Sequence, residues 1–389
     1  MGAGQEILQC LTEQREAMVE FLQRLTLAES PSSQPGSQEL VRASMAEALV
    51  GLGYRTFALS GRRSGGQLYA RPESRERSRA NQLIIGHYDT VWPLGTLNDM
   101  PFEVRGNRVR GPGVFDMKGG LVQLVFALRT LKELAMTVDV TPVVFLNSDE
   151  EIGSRDSTRY IRRLARQADR ALVLEPSLGL AGAIKTARKG VGRYTVTIKG
   201  RAAHAGLDPE RGVSAILELS FVIQQLFALN DPVRGVSVNV GTIDGGLQPN
   251  VVAPESRAVI DVRVATQADA TQVDEAIRAL EPSAEGIVIE VEGGIGRPPL
   301  ESTPRNRILW QAAKSLGREI GVELTEGRAG GGSDGNTTSL YTATLDGLGP
   351  VGDGAHAHHE YLDLDRTIER AALLALLLLA PRLEEISDG

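Results

Sequence analysis

The chain has 389 residues, a formal net charge of −7 and 42% hydrophobic residues, and that length is sufficient for two domains with a large core. The mildly acidic composition argues against nucleic acid as a partner. The single cysteine, Cys10, excludes a disulfide framework and a zinc cluster built from thiolates.

No feature of the sequence predicts a membrane association. The first residues have neither the basic nor the apolar region of a signal peptide. The most apolar run, at residues 371–380, is too short to span a bilayer and ends at Pro381, so we interpret it as a buried C-terminal helix. We therefore expect a cytoplasmic protein with no membrane partner.

Strands and helices alternate in the first half of the chain. The predicted elements are helices at 5–30 and 38–52, strands at 81–89, 141–151 and 170–176, and helices at 119–134 and 157–167. The charged stretch 70–81 is predicted to be an exposed loop. This alternation is typical of an α/β domain whose mostly parallel sheet has helices on both faces.

The pattern changes at residue 191. The predicted order is then strand 191–200, helix 213–229, strands 233–243 and 256–265, helix 269–281 and strand 286–294. This βαββαβ order is that of the ferredoxin-like split βαβ motif. We therefore predict that residues 191–297 form a small domain inserted between two parts of a larger domain, 1–190 and 298–389.

Polar residues follow several predicted strands. His87 ends one strand, and Asp89 shares its face two residues later, which is the usual support for a metal-binding imidazole. Asp116 precedes a helix in a glycine-rich turn, and Glu175 ends an apolar strand. Taken singly, each residue has a structural alternative. His87 could be a surface histidine at the end of a capped strand, Asp116 a helix N-cap, and Glu175 a charge that solvates a strand end.

The acidic run Asp149, Glu150 and Glu151 sets its carboxylates at the mouth of another apolar strand. The candidate ligands at strand ends and adjacent loops are His87, Asp116, Glu151, Glu175 and His356. Two imidazoles and three carboxylates suit two zinc ions that share one carboxylate. Cations between the carboxylates offset their repulsion, and Glu150 is left to accept a proton from a water.

The motifs together resemble those of the M20 metallopeptidase family, in its glutamate carboxypeptidase (carboxypeptidase G2-like) branch. They are HYDTVWPLG, GPGVFDMKGG, NSDEEIGSRD, VLEP, KGRAAHAG, GGGSDGN and GAHAHHEYL, in the family's order. The resemblance implies a zinc exopeptidase-like fold, with an inserted domain through which two subunits form a homodimer.

Site roles follow from the same resemblance. His87 and Glu175 are expected to bind one zinc, Glu151 and His356 the other, and Asp116 both. Asp89 is expected to orient His87, and Glu150 to serve as general base and then acid.

Other positions are carried over from the inserted domain and its neighbourhood. His204 is similar to a family histidine that reaches the active site of the partner subunit and polarises the scissile carbonyl. Asn250 and Arg297 match positions that hold the substrate's carboxylate, and Arg263 is a further substrate-binding candidate.

Two more histidines, His358 and His359, follow the proposed ligand His356 and leave the choice of ligand open. We choose His356 because it follows the sequence GDGA and stands four residues before Glu360, as the family pattern has it. His358 and His359 are then expected to be exposed or to support the ligands.

The resemblance implies an enzyme, a metallo-carboxypeptidase or amidohydrolase with two Zn²⁺ per subunit, for which Co²⁺ or Mn²⁺ are substitutes. It would cleave the amide bond that releases a C-terminal amino acid from a small peptide or an N-acyl amino acid. One alternative is an N-acyl amino acid deacylase or desuccinylase. The other is an inactive binding protein of the same fold, against which the presence of Glu150 argues.

Overall fold

A computed structural model describes residues 2–74 and 79–387 of the chain. The chain divides into two compact units. The first unit consists of Met1–Ala187, Ser302–Ala329 and Ser333–Gly389, and the second of Arg188–Glu301 and Gly330–Gly332. The insertion predicted from the sequence, 191–297, did not include Gly330–Gly332, which belong to the second unit.

The helices and strands are as follows in the described part of the chain. The α-helices are α1 (Ala3–Glu13), α2 (Arg15–Leu27), α3 (Glu39–Gly51), α4 (Gly119–Glu133), α5 (Thr158–Ala165), α6 (Ala215–Ala228), α7 (Gln267–Arg278), α8 (Pro304–Glu319), α9 (Asp334–Thr338), α10 (Leu364–Leu379) and α11 (Leu383–Ser387). The strands are β1 (Tyr54–Leu59), β2 (Gln67–Pro72), β3 (Asn81–His87), β4 (Glu103–Arg105), β5 (Arg108–Arg110), β6 (Thr141–Asn147), β7 (Ala168–Val173), β8 (Ile184–Arg188), β9 (Gly190–Lys199), β10 (Ser237–Gly245), β11 (Glu255–Val264), β12 (Val288–Arg297), β13 (Glu326–Ala329), β14 (Ala343–Leu345), β15 (Gly352–Asp353) and β16 (Tyr361–Asp363).

The main sheet of the first unit has the strand order β1-β2-β6-β3-β7-β14. Strands β6, β3, β7 and β14 run parallel, whereas β1 and β2 pair antiparallel at one edge. The α/β prediction is therefore confirmed, with a mixed sheet. In β3, Ile84 packs into the large core, while Leu83 and Ile85 join a smaller core with Phe145 and Ile161. Helices thus cover both faces, which is why the central strands are apolar throughout.

Two local predictions need correction, and one strand was not predicted. The segment 5–30 is not one helix but α1 and α2, which meet at Gln14. The charged stretch 70–81 is not wholly a loop, because its first residues belong to β2; residues 75–78 lie outside the described residues. Strand β1, with the sequence YRTFAL, was not predicted. Residues 371–379 of the apolar run lie in the buried helix α10, and Ala380 is its C-cap. No helix among the described residues is long and apolar enough to cross a membrane.

The second unit has the βαββαβ order predicted from the sequence. Its sheet has the order β10-β11-β9-β12, and every neighbouring pair is antiparallel. Helices α6 and α7 contribute Leu219, Val222 and Val273 to a core with strand residues such as Tyr194 and Ile260. This is the arrangement of the ferredoxin-like motif.

Candidate metal centre

His87 is the last residue of β3 and lies beside Asn147, the last residue of β6. Its side chain is buried. Nδ1 lies 3.0 Å from the backbone oxygen of Asp89 and 3.4 Å from Asp89 Oδ1. A proton on Nδ1 faces these oxygens, so the neutral ring presents the lone pair of Nε2 on its other side.

Asp89 does more than orient the histidine. Its Oδ1 accepts a hydrogen bond from the backbone N–H of Glu150 at 3.2 Å, and its Oδ2 accepts one from that of Glu151 at 3.2 Å. Ser32 Oγ donates to the same Oδ2 at 2.6 Å. The buried carboxylate therefore fixes the backbone from which both glutamate side chains project.

Asp116 lies between the two histidines. Its Oδ1 is 3.3 Å from His87 Nε2, and its Oδ2 is 3.5 Å from His356 Nε2. Glu175 Oε1 is 3.4 Å from His87 Nε2, and Glu151 Oε2 is 3.1 Å from His356 Nε2. The five predicted ligands are thus brought together in the first unit, with Asp116 between two pairs.

These spacings fit divalent metal ions. In a tetrahedral site with bonds of about 2.0–2.1 Å, neighbouring donor atoms are about 3.3 Å apart. His87 Nε2, Asp116 Oδ1 and Glu151 Oε1 are also buried without a hydrogen-bond partner among the described residues. Buried polar atoms normally have partners, so these three atoms indicate that the residues fit a metal. A carboxylate oxygen of Glu150 also lies within 4.8 Å of donor atoms of His87 and Glu175.

The charge of the cluster shifts its pKa values. Burial opposes protonation of His87, but the carboxylates around it, Asp116 foremost, raise its pKa well above the usual value. Asp116 and Glu151 raise the pKa of His356 to about 10. Burial and the charge of Asp116 raise the pKa of Glu151 to about 7. A metal ion offsets the same carboxylates, so metal binding competes with protonation here.

The acidic run does not act as one group. Asp149 Oδ2 accepts hydrogen bonds from the backbone N–H groups of Asp156 at 2.7 Å and Ser157 at 3.3 Å. It therefore holds the turn before α5. Only the two glutamates of the run contribute carboxylates to the cluster around His87.

Two further acids were missed as site residues. Glu360, used above only as a landmark, is buried and accepts four N–H donors, one of them from Asp116. Asp334, in the glycine-rich motif, accepts from Asn147 Nδ2 at 2.6 Å and Ser154 Oγ at 2.5 Å, on either side of the acidic run. The sequence gives only a weak signal for either acid, because hydrogen bonds to backbone N–H groups and small polar side chains require no fixed spacing along the chain.

Of the three C-terminal histidines, His356 lies beside Asp116 and Glu151, at the distances given above. The ring centroid of His358 is 5.3 Å from that of Trp92. Its carbonyl accepts a hydrogen bond from Arg110 Nη2 at 3.5 Å. His359 is exposed.

His204 and Asn250 are neighbours in the second unit. Both are exposed, and Ala205 N–H donates to the carbonyl of Asn250 at 3.0 Å. Nδ1 of His204 accepts from the N–H groups of Gly206 at 3.1 Å and Leu207 at 3.2 Å. The neutral ring must therefore carry its proton on Nε2, as a hydrogen-bond donor.

The two candidate arginines lie on strands that flank β9. Arg263 on β11 and Arg297 on β12 both pair in register with Val191 of β9, on opposite sides. Arg263 forms a bidentate ion pair with Asp261, at 2.8 and 3.1 Å. Its guanidinium is thus already bound to a carboxylate, which weakens its case as a substrate ligand. Arg297 is half-buried at the end of its strand.

An α/β fold that gathers two histidines and three carboxylates at the carboxyl ends of its strands defines a metallohydrolase. The chain belongs to the peptidase family M20: residues 83–380 match the model of Peptidase family M20/M25/M40. The resemblance read from the motifs is therefore confirmed.

Relatives of the chain differ in their activities. It is 31% identical to carboxypeptidase G2 from Pseudomonas sp. (strain RS-16) over 314 residues, which cover 78% of this chain and 74% of the relative. It is 26% identical to a succinyl-diaminopimelate desuccinylase from Azoarcus sp. (strain BH72), with 74% and 80% covered. Its fold matches an aminopeptidase structure from Bacillus cereus ATCC 10987, with a TM-score of 0.76, 22% identity, and 96% and 99% covered.

Proposed function

We propose that the chain is a metal-dependent hydrolase that cleaves an amide bond to release a C-terminal amino acid, as a glutamate carboxypeptidase does. The observation that carries the proposal is the Asp116 carboxylate, with one oxygen 3.3 Å from His87 Nε2 and the other 3.5 Å from His356 Nε2. A carboxylate between two imidazoles suits a pair of divalent ions, Zn²⁺ first and Co²⁺ or Mn²⁺ as substitutes.

The ligands divide into two pairs around Asp116. His87 and Glu175 would hold one ion, and Glu151 and His356 the other, in agreement with the donor distances given above. When bound, such ions polarise a carbonyl and lower the pKa of a water. The backbone oxygen of Asp89 keeps His87 Nε2 available by accepting a hydrogen bond from Nδ1–H.

Glu150 is the proposed proton carrier. Its backbone N–H is fixed by Asp89, and its carboxylate lies within 4.8 Å of donor atoms of His87 and Glu175. From there it would accept a proton from the attacking water and give it to the leaving amine. Its neighbour Glu151 lies instead 3.1 Å from His356, so the two adjacent glutamates take different tasks.

Residues of the second unit are proposed to bind the substrate. The Nε2–H of His204, a donor for the reason given above, suits an oxyanion that develops on the scissile carbonyl. Arg297 would bind the free carboxylate of the substrate, with Asn250 as a further polar contact. Arg263 stays a weaker candidate because of its bond to Asp261.

A homodimer through the second unit is proposed as well. Helix α6 buries one face against its sheet and leaves Leu217, Phe221 and Phe227 exposed on the other. Strand β10 is the edge of the sheet and exposes Ile243. An exposed apolar helix face beside an open strand edge is suited to self-association. In such a dimer, His204 would serve the active site of the partner.

The second candidate function is an N-acyl amino acid deacylase or desuccinylase. It is favoured by the similarity to succinyl-diaminopimelate desuccinylase, and it requires the same metal residues. The two functions differ in the acyl group that the site accepts. An inactive binding protein is disfavoured, because a binding protein does not need Glu150 beside the ligands.

The test is a substrate panel with release of free amine as the readout. The zinc-loaded enzyme is given N-acyl glutamates, dipeptides with C-terminal glutamate or other residues, and N-succinyl-diaminopimelate. Glu150→Gln, loaded in the same way, controls for contaminating hydrolases. Release from the glutamate conjugates is the expected result. Activity on N-succinyl-diaminopimelate alone would replace the proposal by the second candidate, and no activity on any substrate would overturn it.

A further inference from the structure

Glu360 is a fully buried carboxylate with a donor on each of its lone-pair directions. Oε1 accepts the N–H groups of Phe115 at 2.9 Å and Asp116 at 3.0 Å. Oε2 accepts the N–H of Gly113 at 3.0 Å and the indole Nε1–H of Trp92 at 2.8 Å. A carboxylate can accept about four such bonds, so this side chain is saturated with donors.

Three of these donors belong to the turn that presents Asp116. The turn is irregular: Gly113 has φ 74°, and Asp116 has the non-helical angles φ −114° and ψ 93°. Backbone N–H groups in such a turn lack helical partners and need another acceptor when buried. Glu360 is that acceptor, so it determines the path of the backbone that carries the Asp116 carboxylate.

Glu360 also belongs to the turn that presents His356. Its own N–H donates to the carbonyl of Ala357 at 2.9 Å, and Ala357 N–H donates to that of Gly354 at 2.8 Å. His356 lies within this turn in the left-handed region, at φ 61°. The side chain of Glu360 thus connects the turn of the second histidine to the turn of the aspartate between the two imidazoles.

We propose that Glu360 is a positioning residue of the metal centre, which holds the Asp116 turn and the His356 turn in register, with Trp92 as its fourth donor. The inference rests on the proposed function only in requiring that the site binds metal. It concerns metal affinity and geometry, which are measured without a substrate.

Glutamine is a sharp probe of this role. Whichever way its amide is oriented, the NH₂ group replaces an oxygen that accepts two N–H donors, so two of the four hydrogen bonds are lost. Trp92→Phe removes one donor and keeps an aromatic ring beside His358. Glu29→Gln is a matched control, because Glu29 also accepts two backbone N–H groups, those of Gly95 at 2.8 Å and Leu97 at 3.2 Å.

The experiment measures Zn²⁺ affinity by competition with a chelator, the visible absorption of the Co²⁺-loaded protein, and the melting temperature of the metal-free protein. Glu360→Gln should bind Zn²⁺ about 10- to 100-fold more weakly, the usual cost of losing a residue that orients ligands. Its Co²⁺ bands should shift or lose intensity. Trp92→Phe should bind Zn²⁺ measurably more weakly than the wild type, by less than about tenfold. Glu29→Gln should match the wild type in both metal readouts.

A purely structural role would lower the melting temperature and leave the metal readouts unchanged. A folded Glu360→Gln protein with wild-type Zn²⁺ affinity and Co²⁺ spectrum would therefore overturn the inference and leave the proposed hydrolase intact. If Glu360→Gln does not fold, Trp92→Phe decides, and wild-type metal binding in that variant overturns the inference. A wild-type protein that binds no divalent ion would overturn both proposals.

Discussion

The candidate metal residues and the candidate substrate residues are held in different ways. In the first unit His87 is 1% exposed and Asp89 is 0% exposed, whereas His356 is exposed and lies against Asp116 and Glu151. Asp89 accepts hydrogen bonds from the backbone N–H groups of both glutamates. In the second unit His204 and Asn250 are exposed on neighbouring segments. The first arrangement is preorganised within its own unit, whereas His204 and Asn250 present their side chains at the surface of the second.

This difference indicates that the two units have different roles. Buried charges are stable only when they are paired or bound to a cation, so the first unit gains from holding metal before any substrate arrives. Exposed groups such as His204 cost little to maintain and are available to a substrate or to a partner subunit. Metal binding and proton transfer are therefore expected to depend on the first unit, and direct contacts with the substrate, that of His204 included, on the second.

The largest expected effect is a loss of turnover, and it tests the proposed role of Glu150. Glu150→Gln should lower kcat by roughly 10³-fold or more, because it removes the proton carrier and leaves the proposed ligands in place. Elemental analysis should still find about two divalent ions per chain, the number implied by two pairs of ligands and a shared carboxylate. Glu151→Gln should instead retain fewer ions, since its carboxylate lies beside His356.

Turnover and metal content together distinguish the proposed roles of Glu150 and Glu151. Near-wild-type turnover in Glu150→Gln would show that another group carries the proton. Loss of metal from Glu150→Gln, with full occupancy in Glu151→Gln, would exchange their assignments. Removal of the ions by a chelator should abolish activity in the wild type, and addition of Zn²⁺ should restore it.

A smaller effect is expected from the arginines. Arg297→Ala should lower kcat/KM by roughly 100-fold on substrates with a free C-terminal carboxylate, about the value of a charge-assisted bidentate bond. Amidated substrates should be poor for the wild type and no worse for the variant. Arg263→Ala is the matched control and should change kcat/KM little, because Asp261 already binds its guanidinium. Equal rates on acids and amides would contradict the release of a C-terminal amino acid.

The sequence predicted the fold and the ligand cluster for a physical reason. Parallel strands end at one edge of a sheet, so polar residues after β3, β6 and β7 had to meet there. Strand β2 was hidden because its sequence continues into a charged stretch. The role of Glu360 was not predicted, because a side chain that accepts backbone N–H groups from a distant turn leaves no periodic pattern. The separate task of Asp149 likewise depends on a local turn and not on its position in the acidic run.

The last prediction tests whether the two kinds of residue act across a dimer. His204→Ala and Glu150→Gln homodimers should each be nearly inactive, since each lacks one essential group at both sites. When equal amounts are mixed and exchanged, half of the dimers are hybrids, and each hybrid has one site with an intact Glu150 and an intact partner His204. Activity should recover to about a quarter of the wild type by this symmetry count. Native mass spectrometry verifies that hybrids have formed. Hybrids without recovered activity would show that His204 serves its own subunit or takes no part, and would contradict an active site shared between subunits.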